Sequence, residues 1–403
     1  MQPPAHLPEP ARGTSPRRSG RLILNPTLRI QAEYFAAIKG GTQAEGRLDD
    51  EDLVRAVWRT VFTRLDAKRV RDMQRRGILV SEDRAPRPVS AYPVLPGCRS
   101  SLFPASSRER RGLERRELVV NPRCVLQRPE DPFPEQIQRL LPRFERPTGP
   151  ILWIRHPGSE LIAPYQLPPP ALERVMALLG GQGPDRLDAQ SRRTLSAAGL
   201  LLAAGSAKNW RAEWSKRLEI ARRTLQTQRF VVLRGVLPPA FIAAARRYVR
   251  ALETEGHFRW SNGSTQPRTS PRKFIHNDAL CRLIHVQLTR LLNLVVPERV
   301  KPSYSYLCAY PPKAVLERHR DRAQCAWNVS MPLDARPELP REKAWPIYLE
   351  TAGQAHEVRL ELGDAVLYRG TDIWHWRNAQ PAAHRSTICF FHFVRKGFRG
   401  RLD

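Results

Sequence analysis

Two histidines and one aspartate near the end of the chain have the types and order of a metal-ligand set. His319 and Asp321 form an H-x-D pair, and His375 follows further along the chain. Two imidazoles with one carboxylate make a 2-His-1-carboxylate facial triad, the ligand set that holds Fe(II) and leaves coordination positions open for chemistry. A bare H-x-D pair recurs by chance, so the elements that carry these residues decide the interpretation.

Predicted strands carry the first two candidate ligands. The aromatic and apolar run from Tyr304 to Tyr310 predicts one strand, and residues 315–321 resume an extended pattern after a turn. Side chains alternate along a strand, so His319 and Asp321 point the same way and can hold one ion. Taken singly, each ligand could be an ordinary hydrogen-bonded side chain, but the ordered set favours a metal site.

Further short strands are predicted after this pair. Residues 326–331 and 386–394 have the composition of strands, and Gly363-Asp364 predicts a turn. The polar, proline-bearing stretch 334–343 predicts a surface loop. Many short strands separated by turns favour a sandwich or a jelly roll.

The segment from about residue 208 to residue 403 resembles the Fe(II)/2-oxoglutarate-dependent dioxygenases. The resemblance depends on the H-x-D pair, a Leu-Gly-Asp turn ending at Asp364, the distal His375, and Arg385 with Thr387 shortly after it. The family shares a double-stranded β-helix, which is a jelly-roll variant. The implied fold class is α+β, with a C-terminal jelly roll and flanking helices, preceded by a mainly helical N-terminal region.

The resemblance also implies roles for individual residues. His319, Asp321 and His375 would be the metal ligands, while Arg385 and Thr387 would bind the distal carboxylate of 2-oxoglutarate, a task suited to a guanidinium fork. The run from Cys308 to Pro311 is similar to the cosubstrate-lining strand of the prolyl-hydroxylase branch. This places Tyr310 near 2-oxoglutarate, with aromatic packing as its alternative role. If Arg385 faces inward, alternation predicts that Thr387 does so as well and that His392 faces away.

The implied activity is hydroxylation with 2-oxoglutarate and O2 as cosubstrates and with succinate and CO2 as coproducts. Ascorbate is a further candidate cofactor. We expect the substrate to be a peptide or protein side chain, and a free amino acid or natural-product intermediate is the alternative. A third alternative is a basic nucleic-acid-binding protein with a non-catalytic jelly roll.

Composition limits the partners and the compartment. The net charge is +28, from 67 Lys and Arg against 39 Asp and Glu, which favours an acidic peptide, a nucleic acid or an anionic metabolite as partner. Genome composition is the alternative cause of this charge. The six cysteines show no zinc-site spacing, and no segment has the pattern of an export signal or a membrane span. We therefore expect a cytoplasmic protein that does not contact a membrane.

The sequence predicts five segments. Residues 1–20 are expected to form a disordered basic tail, residues 21–80 a helical segment, and residues 81–120 a linker rich in proline and arginine. Residues 121–206 predict a small α+β domain, and residues 207–403 the dioxygenase domain. The small domain, a hairpin followed by two helices, weakly resembles winged-helix modules that bind leader peptides. It could recognise a peptide substrate, or it could be a cap packed on the oxygenase core.

Overall fold

The computed structural model describes residues 22–24, 79–81, 86–87, 89–96, 117–138, 146–156, 159–260, 270 and 272–402, together with Lys68, Arg71 and Gln74. Strand β1 (Leu22–Leu24) pairs antiparallel with β2 (Leu79–Ser81), and this pair belongs to a different compact unit from every element named below. The prediction for residues 21–80 named only helix, which agrees with the helical positions 68, 71 and 74 but not with this strand pair. The predicted tail 1–20 lies outside the described residues.

A small α+β region precedes the main sheets. Its strands are β3 (Leu118–Val120), β4 (Cys124–Gln127), β5 (Ile151–Arg155), β6 (Ile162–Gln166) and β7 (Leu201–Ala203). Its helices are α1 (Glu135–Gln138), α2 (Pro169–Leu179), α3 (Ala189–Ala198) and α4 (Ala204–Gln228). Strands β4, β5 and β6 form an antiparallel sheet that contains the predicted hairpin, and β3 pairs with β7. Asp188 caps α3 by accepting a hydrogen bond from the Ser191 N–H at 2.8 Å.

The rest of the chain forms two sheets and two helices. The strands are β8 (Phe230–Leu233), β9 (Arg259–Trp260), β10 (Lys273–His276), β11 (Val300–Tyr310), β12 (Leu316–His319), β13 (Trp327–Arg336), β14 (Ile347–Thr351), β15 (Gln354–Val358), β16 (Ala365–Tyr368), β17 (Trp374–Arg377) and β18 (Arg385–Arg395). The helices are α5 (Pro239–Thr254) and α6 (Ala279–Val295). Among the described residues, no helix has the length and apolar character needed to cross a membrane.

The two sheets have the connectivity of a double-stranded β-helix. The major sheet has the order β8-β16-β13-β18-β11-β10-β9, and the minor sheet has the order β12-β17-β14-β15. Every pairing within them is antiparallel. From β11 onward the chain passes back and forth between the two sheets. The predicted α+β fold with a C-terminal jelly roll is therefore confirmed.

The major sheet has a helix face and an inner face. Helix-face residues join the core that contains α5 and α6, and they include Leu307, Val329, Met331, Cys389, Phe391 and Phe393. Inner-face residues pack with one another and with Trp345, and they include Cys308, Tyr310, Ile388 and Phe390. Residues directly opposite one another on paired strands share a face. The register therefore assigns the other residues of these strands to one face or the other.

The predicted Leu-Gly-Asp turn joins the start of the major sheet to β16. Gly363 has φ 89°, and a Cβ there would lie 2.9 Å from the Ile242 side chain, so the turn requires glycine. The Asp364 carboxylate accepts hydrogen bonds from the Gly235 N–H at 3.0 Å and from the Arg234 guanidinium at 2.6 Å. This one aspartate therefore ties the end of β8 to the turn before its partner strand.

The stretch 334–343 is only in part the predicted surface loop. Strand β13 continues to Arg336, and Asp334 is 1% exposed. Its carboxylate accepts hydrogen bonds from Arg246 at 3.0 Å and from Arg250 at 2.8 Å. Burial by itself would raise the pKa of Asp334, but these two guanidiniums hold it below its ordinary value. The prediction was wrong because Asp and Pro mark turns in a sequence, whereas here three arginines compensate a buried carboxylate.

The small α+β region packs against α5 and α6. The Tyr165 ring meets the Phe241 ring edge to face with centroids 5.9 Å apart. The Gln287 side chain accepts from the Ile162 N–H at 2.6 Å and donates to its carbonyl at 3.0 Å. Helix α4 also runs through the boundary predicted at residue 206. These contacts give one continuous core and favour the alternative of a packed cap.

Candidate metal centre

The ends of β12 and β17 bring the three predicted ligands together. His319 and His375 are direct partners in the minor sheet, and their ring centroids lie 4.2 Å apart. Asp321 follows β12, and its Oδ1 lies 3.7 Å from the Nε2 atom of each histidine. One ligand atom from each residue lies within 4.8 Å of the other two. Three side chains of the right types therefore face one point.

Each histidine uses its second ring nitrogen for orientation. The Nδ1 atom of His319 lies 2.6 Å from the Glu317 carbonyl oxygen, and the Nδ1 atom of His375 lies 3.0 Å from the Ile373 carbonyl oxygen. A carbonyl oxygen only accepts, so each Nδ1 carries the proton and donates it. Each Nε2 then presents a lone pair towards Asp321, which is the tautomer that binds a metal.

Asp321 is held from three sides. Its N–H donates to the Gly370 carbonyl at 2.9 Å, and the Asn328 side-chain amide donates to its Oδ2 at 3.1 Å. The same amide lies 2.7 Å from the Tyr368 hydroxyl. These contacts occupy Oδ2 and leave Oδ1 facing the two histidines. A Cβ at residue 370 would lie 2.2 Å from Oδ2, so only glycine permits this carboxylate position.

Burial sets the protonation of the three side chains. It raises the pKa of Asp321 to about 6, against the opposing charge of His319, and it lowers the pKa of His375 to about 4. Burial, followed by the charge of His375, also lowers the pKa of His319. Both imidazoles are therefore neutral at pH 7, as metal binding requires, and a divalent cation would stabilise the aspartate anion. The donor set and its geometry fit Fe(II) with coordination positions left open.

The structure places Arg385 and Thr387 on the helix face of β18, away from the three ligands. Thr387 pairs with Asp334, which bonds to α5, and Arg385 is exposed. The inner face carries the alternate residues, among them the buried His392, which pairs with Asn328 beside the metal ligands. Arg385 and Thr387 do share one face of β18, as predicted. That face is the helix face, whereas the sequence predicted that both residues face the metal ligands and that His392 faces away. Arg385 still lines a cavity of about 50 Å³ that Trp345 and Ile388 of the inner face also line.

A different arginine lies on the same side as the ligands. His375 and Arg377 alternate with two tryptophans in β17, and they are 2% and 3% exposed. The Arg377 Nη1 donates to the Trp345 carbonyl at 2.8 Å, and its Nη2 lies 3.4 Å from the Ser330 hydroxyl. Its buried Nε has no partner among the described residues. The sequence could have identified Arg377. It lies two residues after His375 in a strand, so the two side chains share a face, as in the H-x-D pair.

Arg377 remains charged despite its burial. Burial lowers its pKa to about 10, against the opposing influence of the Tyr310 and Tyr368 hydroxyls. No carboxylate among the described residues forms an ion pair with it. Arg377 also lines the 50 Å³ cavity, together with Trp345. The inner face therefore contains a cation with room for a small anion beside it.

Tyr310 lies on the inner face, as the prediction of cosubstrate contact requires. Its ring packs against the Trp345 ring with centroids 5.2 Å apart, and the residue is 2% exposed. The Arg272 guanidinium carbon lies 6.0 Å from the centre of the Tyr310 ring. Tyr310 thus packs as an aromatic core residue, which was the alternative role, and it also lies close to the positive charge of Arg272.

Comparisons with known proteins show similarity to solved structures. A prolyl-4-hydroxylase from Pseudomonas putida aligns with 45% of this chain and 100% of its own, at 18% identity and a TM-score of 0.36. The 2-oxoglutarate-dependent epimerase SnoN from nogalamycin biosynthesis aligns with 45% of this chain and 83% of its own, at 13% identity and a TM-score of 0.38. A prolyl hydroxylase from Trichoplax adhaerens, in complex with a peptide of hypoxia inducible factor, aligns with 45% and 92%, at 15% identity and a TM-score of 0.37.

No protein-family model and no curated protein matches the sequence. Each TM-score above is below 0.5 and each identity is below 25%, so the function has to be judged from this chain's own geometry.

Proposed function

We propose that this protein is an Fe(II)- and 2-oxoglutarate-dependent oxygenase. The supporting observation is the convergence of His319 Nε2, Asp321 Oδ1 and His375 Nε2 beside the inner face of a jelly roll. Bound iron with 2-oxoglutarate and O2 would supply the oxidising chemistry, and succinate and CO2 would be the coproducts. The protein's own part is to hold the ligands, to orient the cosubstrate and to exclude water.

Arg377 is our candidate for the residue that binds the distal carboxylate of 2-oxoglutarate, in place of the predicted Arg385. It follows His375 by one step of the same strand face, which is about 7 Å along β17. A five-carbon dicarboxylate chelating the metal can extend its far end over that distance. The free Nε of Arg377 and the nearby Ser330 hydroxyl offer donors to a carboxylate.

Apolar and aromatic side chains surround this position. Tyr310, Ile388 and Phe390 pack with Trp345 on the inner face. Such a lining excludes water, and an ion pair between a carboxylate and Arg377 is stronger there than at the surface. The same lining would keep a reactive intermediate away from solvent.

A peptide or protein side chain is the substrate class that we favour. The similarity of residues 308–311 to the prolyl-hydroxylase branch and the strongly basic composition support it. A free amino acid or a natural-product intermediate is the alternative. Substrates of either class can carry an anionic oxygen group. The cytoplasmic location and a role for ascorbate stay predictions.

Anaerobic titration with Fe(II) and 2-oxoglutarate tests the proposal without knowledge of the substrate. The wild-type protein should develop the weak visible charge-transfer absorption of an iron-bound 2-oxo acid, with saturation at one iron per chain. His375→Ala and Asp321→Ala should lose it, because each removes one of three ligands. His356→Ala, at a histidine in β15 that bonds to Thr351, is the matched control and should keep it. Equal absorption in the ligand variants, or none in the wild type, would contradict the proposal.

A further inference from the structure

Two more arginines reach the inner face of the major sheet at its β9–β10 end. Arg259 pairs with Phe274, and Phe274 pairs with Cys308, so all three share the inner face. Arg272 precedes Phe274 by two residues, and alternation brings it to the same face beside Tyr310. Both guanidiniums therefore lie on the side of the sheet that carries the proposed cosubstrate site.

The two guanidiniums flank a pair of aromatic rings. Phe274 and Tyr306 stack with centroids 4.9 Å apart and an interplanar angle of 28°. The Arg259 guanidinium carbon lies 5.6 Å from the Phe274 ring centre, and that of Arg272 lies 5.9 Å from the Tyr306 ring centre. Each guanidinium is therefore within cation–π distance of one ring of the pair.

Neither cation has an anionic partner in the described part of the chain. The Nε atoms of Arg259 and Arg272 are buried and have no hydrogen-bond partner there. Burial lowers the pKa of Arg259. The pKa of Arg272 is raised although burial opposes this, through the Tyr310, Cys308 and Tyr306 side chains and a hydrogen bond with Tyr306, none of which is a carboxylate. By contrast, Arg318 at the rim of the metal centre forms a bidentate pair with Glu350 at 2.9 and 2.8 Å.

Charge balance then points to a ligand. Arg259 and Arg272 are partly buried, and each has a buried Nε without a hydrogen-bond partner among the described residues. Two such cations on one face favour an anion that completes the site. Under the proposed function, Fe(II) and Arg377 together balance Asp321 and the two carboxylates of 2-oxoglutarate. The charges of Arg259 and Arg272 remain after that balance, and they need a second anionic group.

We propose that Arg259 and Arg272 bind an anionic oxygen group of the substrate, while the Phe274–Tyr306 ring pair contacts the neighbouring apolar part. The group is a carboxylate or a tetrahedral oxyanion such as a phosphate or sulfate ester, since a guanidinium fork matches both. This inference rests on the proposed function only in naming the ligand a substrate. The pair determines specificity, because it selects acidic substrates among all those that the iron could oxidise.

The test uses the full chain, loaded anaerobically with Fe(II) and saturating 2-oxoglutarate so that the cosubstrate site is filled. Acetate and sulfate are titrated separately at constant ionic strength, and the midpoint of thermal unfolding reports binding. The wild type should show a saturable rise with at least one of them. A response to acetate alone identifies a carboxylate site, and a response to sulfate alone identifies a site for tetrahedral oxyanions. No saturable response to either would overturn the proposal.

Single variants assign any such response to the two arginines. Arg259→Gln and Arg272→Gln should each weaken the apparent affinity by about tenfold or more, because each loses a charge-assisted contact. Arg272→Lys keeps the charge and should restore part of the affinity. Arg395→Gln, at an exposed position ending β18, is the matched control and should bind as the wild type does. Both glutamine variants should unfold no earlier than the wild type without added anion, because they remove a partly buried charge that has no anionic partner among the described residues.

The cosubstrate absorption separates this proposal from the proposed function. Arg272→Gln should develop the 2-oxoglutarate band at the wild-type concentration of 2-oxoglutarate. Arg377→Gln should need about tenfold more 2-oxoglutarate or more to develop it, and it should keep the anion response. An unchanged anion response in both Arg259→Gln and Arg272→Gln would overturn the inference. A lost band in Arg272→Gln would also overturn it, since Arg272 would then belong to the cosubstrate site. If the wild type gives no band but the two variants still lose anion binding, the oxygenase proposal fails and the anion site stands.

Discussion

Gly370 packs directly against the Asp321 carboxylate. A Cβ atom on residue 370 would lie 2.2 Å from the aspartate Oδ2, which is too close for any side chain there. The Gly370 carbonyl also accepts the Asp321 N–H at 2.9 Å. The backbone at residue 370 therefore fixes Asp321 from two directions, by a hydrogen bond and by the space that it leaves. The only carboxylate of the metal centre depends on a residue that has no side chain.

We predict that Gly370→Ala lowers the affinity for Fe(II) at least tenfold, because the carboxylate must move away from the two histidines. Iron content after anaerobic dialysis against a graded series of Fe(II) concentrations measures this. Gly397→Ala is the control, since a Cβ there meets no atom within 4 Å. Equal iron affinity in the two alanine variants would show that Asp321 is not held as described.

The two candidate anchors for 2-oxoglutarate can be compared directly. Arg377→Gln should weaken 2-oxoglutarate binding by about 1.5–3 kcal/mol, the usual worth of a hydrogen bond to a charged group. Arg385→Gln should change it little, because Arg385 is exposed and lies on the helix face. Titration of the charge-transfer absorption with 2-oxoglutarate gives both affinities. The opposite ranking would restore the anchor that the sequence predicted.

We predict that Asp334 makes a pH-dependent contribution to the free energy of unfolding. Its folded pKa lies below the unfolded value of about 3.9, so its contribution is present above that pH and is lost as pH falls through the folded pKa. Asp334→Asn should therefore cost about 3 kcal/mol or more in unfolding free energy at pH 7, because it leaves the buried Arg246 with the exposed Glu338 as its remaining anionic partner among the described residues. The deficit should shrink below about pH 4.

Chemical denaturation at several pH values measures this difference. Asp372→Asn removes an exposed aspartate that pairs with Arg369, and it should cost less than about 1 kcal/mol at any pH. A deficit for Asp334→Asn that stays constant down to the lowest pH would show that its cause is not the charge of Asp334.

Substitutions at Tyr165 test whether the small α+β region is part of the main core. Its side chain is fully buried, and its hydroxyl has no hydrogen-bond partner among the described residues. Tyr165→Phe should be neutral or stabilising by up to about 1–3 kcal/mol, because it removes an unsatisfied buried hydroxyl. Tyr165→Ala should destabilise by about 3–5 kcal/mol through the cavity that it leaves against Phe241.

Thermal unfolding followed by circular dichroism measures both Tyr165 variants. For Tyr165→Ala, a single cooperative transition at lower temperature would indicate one core. Two separate transitions, with the jelly roll unaffected, would instead support an independent recognition domain.

The sequence could group the three candidate ligands because the strands around them carry readable alternation, and their role in binding a metal stays a prediction. In β17, His375 and Arg377 are buried while Trp374 and Trp376 are partly exposed, so composition and burial follow the same period. The H-x-D pair lies at the end of β12, where His319 is the last strand residue and Asp321 follows the strand. Residues of this kind can be assigned to one side of a strand from the order of polar and apolar side chains alone.

The phase of β18 could not be predicted in this way. Both of its faces are buried, with Cys389 and Phe391 on one side and Ile388 and Phe390 on the other. A strand buried on both faces shows no alternation of polarity, so its sequence does not say which side faces the metal. The spacing of Arg385 from His375 suggested a direction, and packing against α5 and α6 produced the opposite one.

Strand β18, the last strand, lies in the middle of the major sheet, between β13 and β11. A growing chain must therefore release residues up to about Arg395 from the ribosome before the sheet that faces the candidate metal centre can close. Until then, β11 and β13 both present unpaired edges. Strand pairings that are distant in sequence slow folding, so we expect this sheet to close late, and a metal that needs the closed sheet would bind after that step.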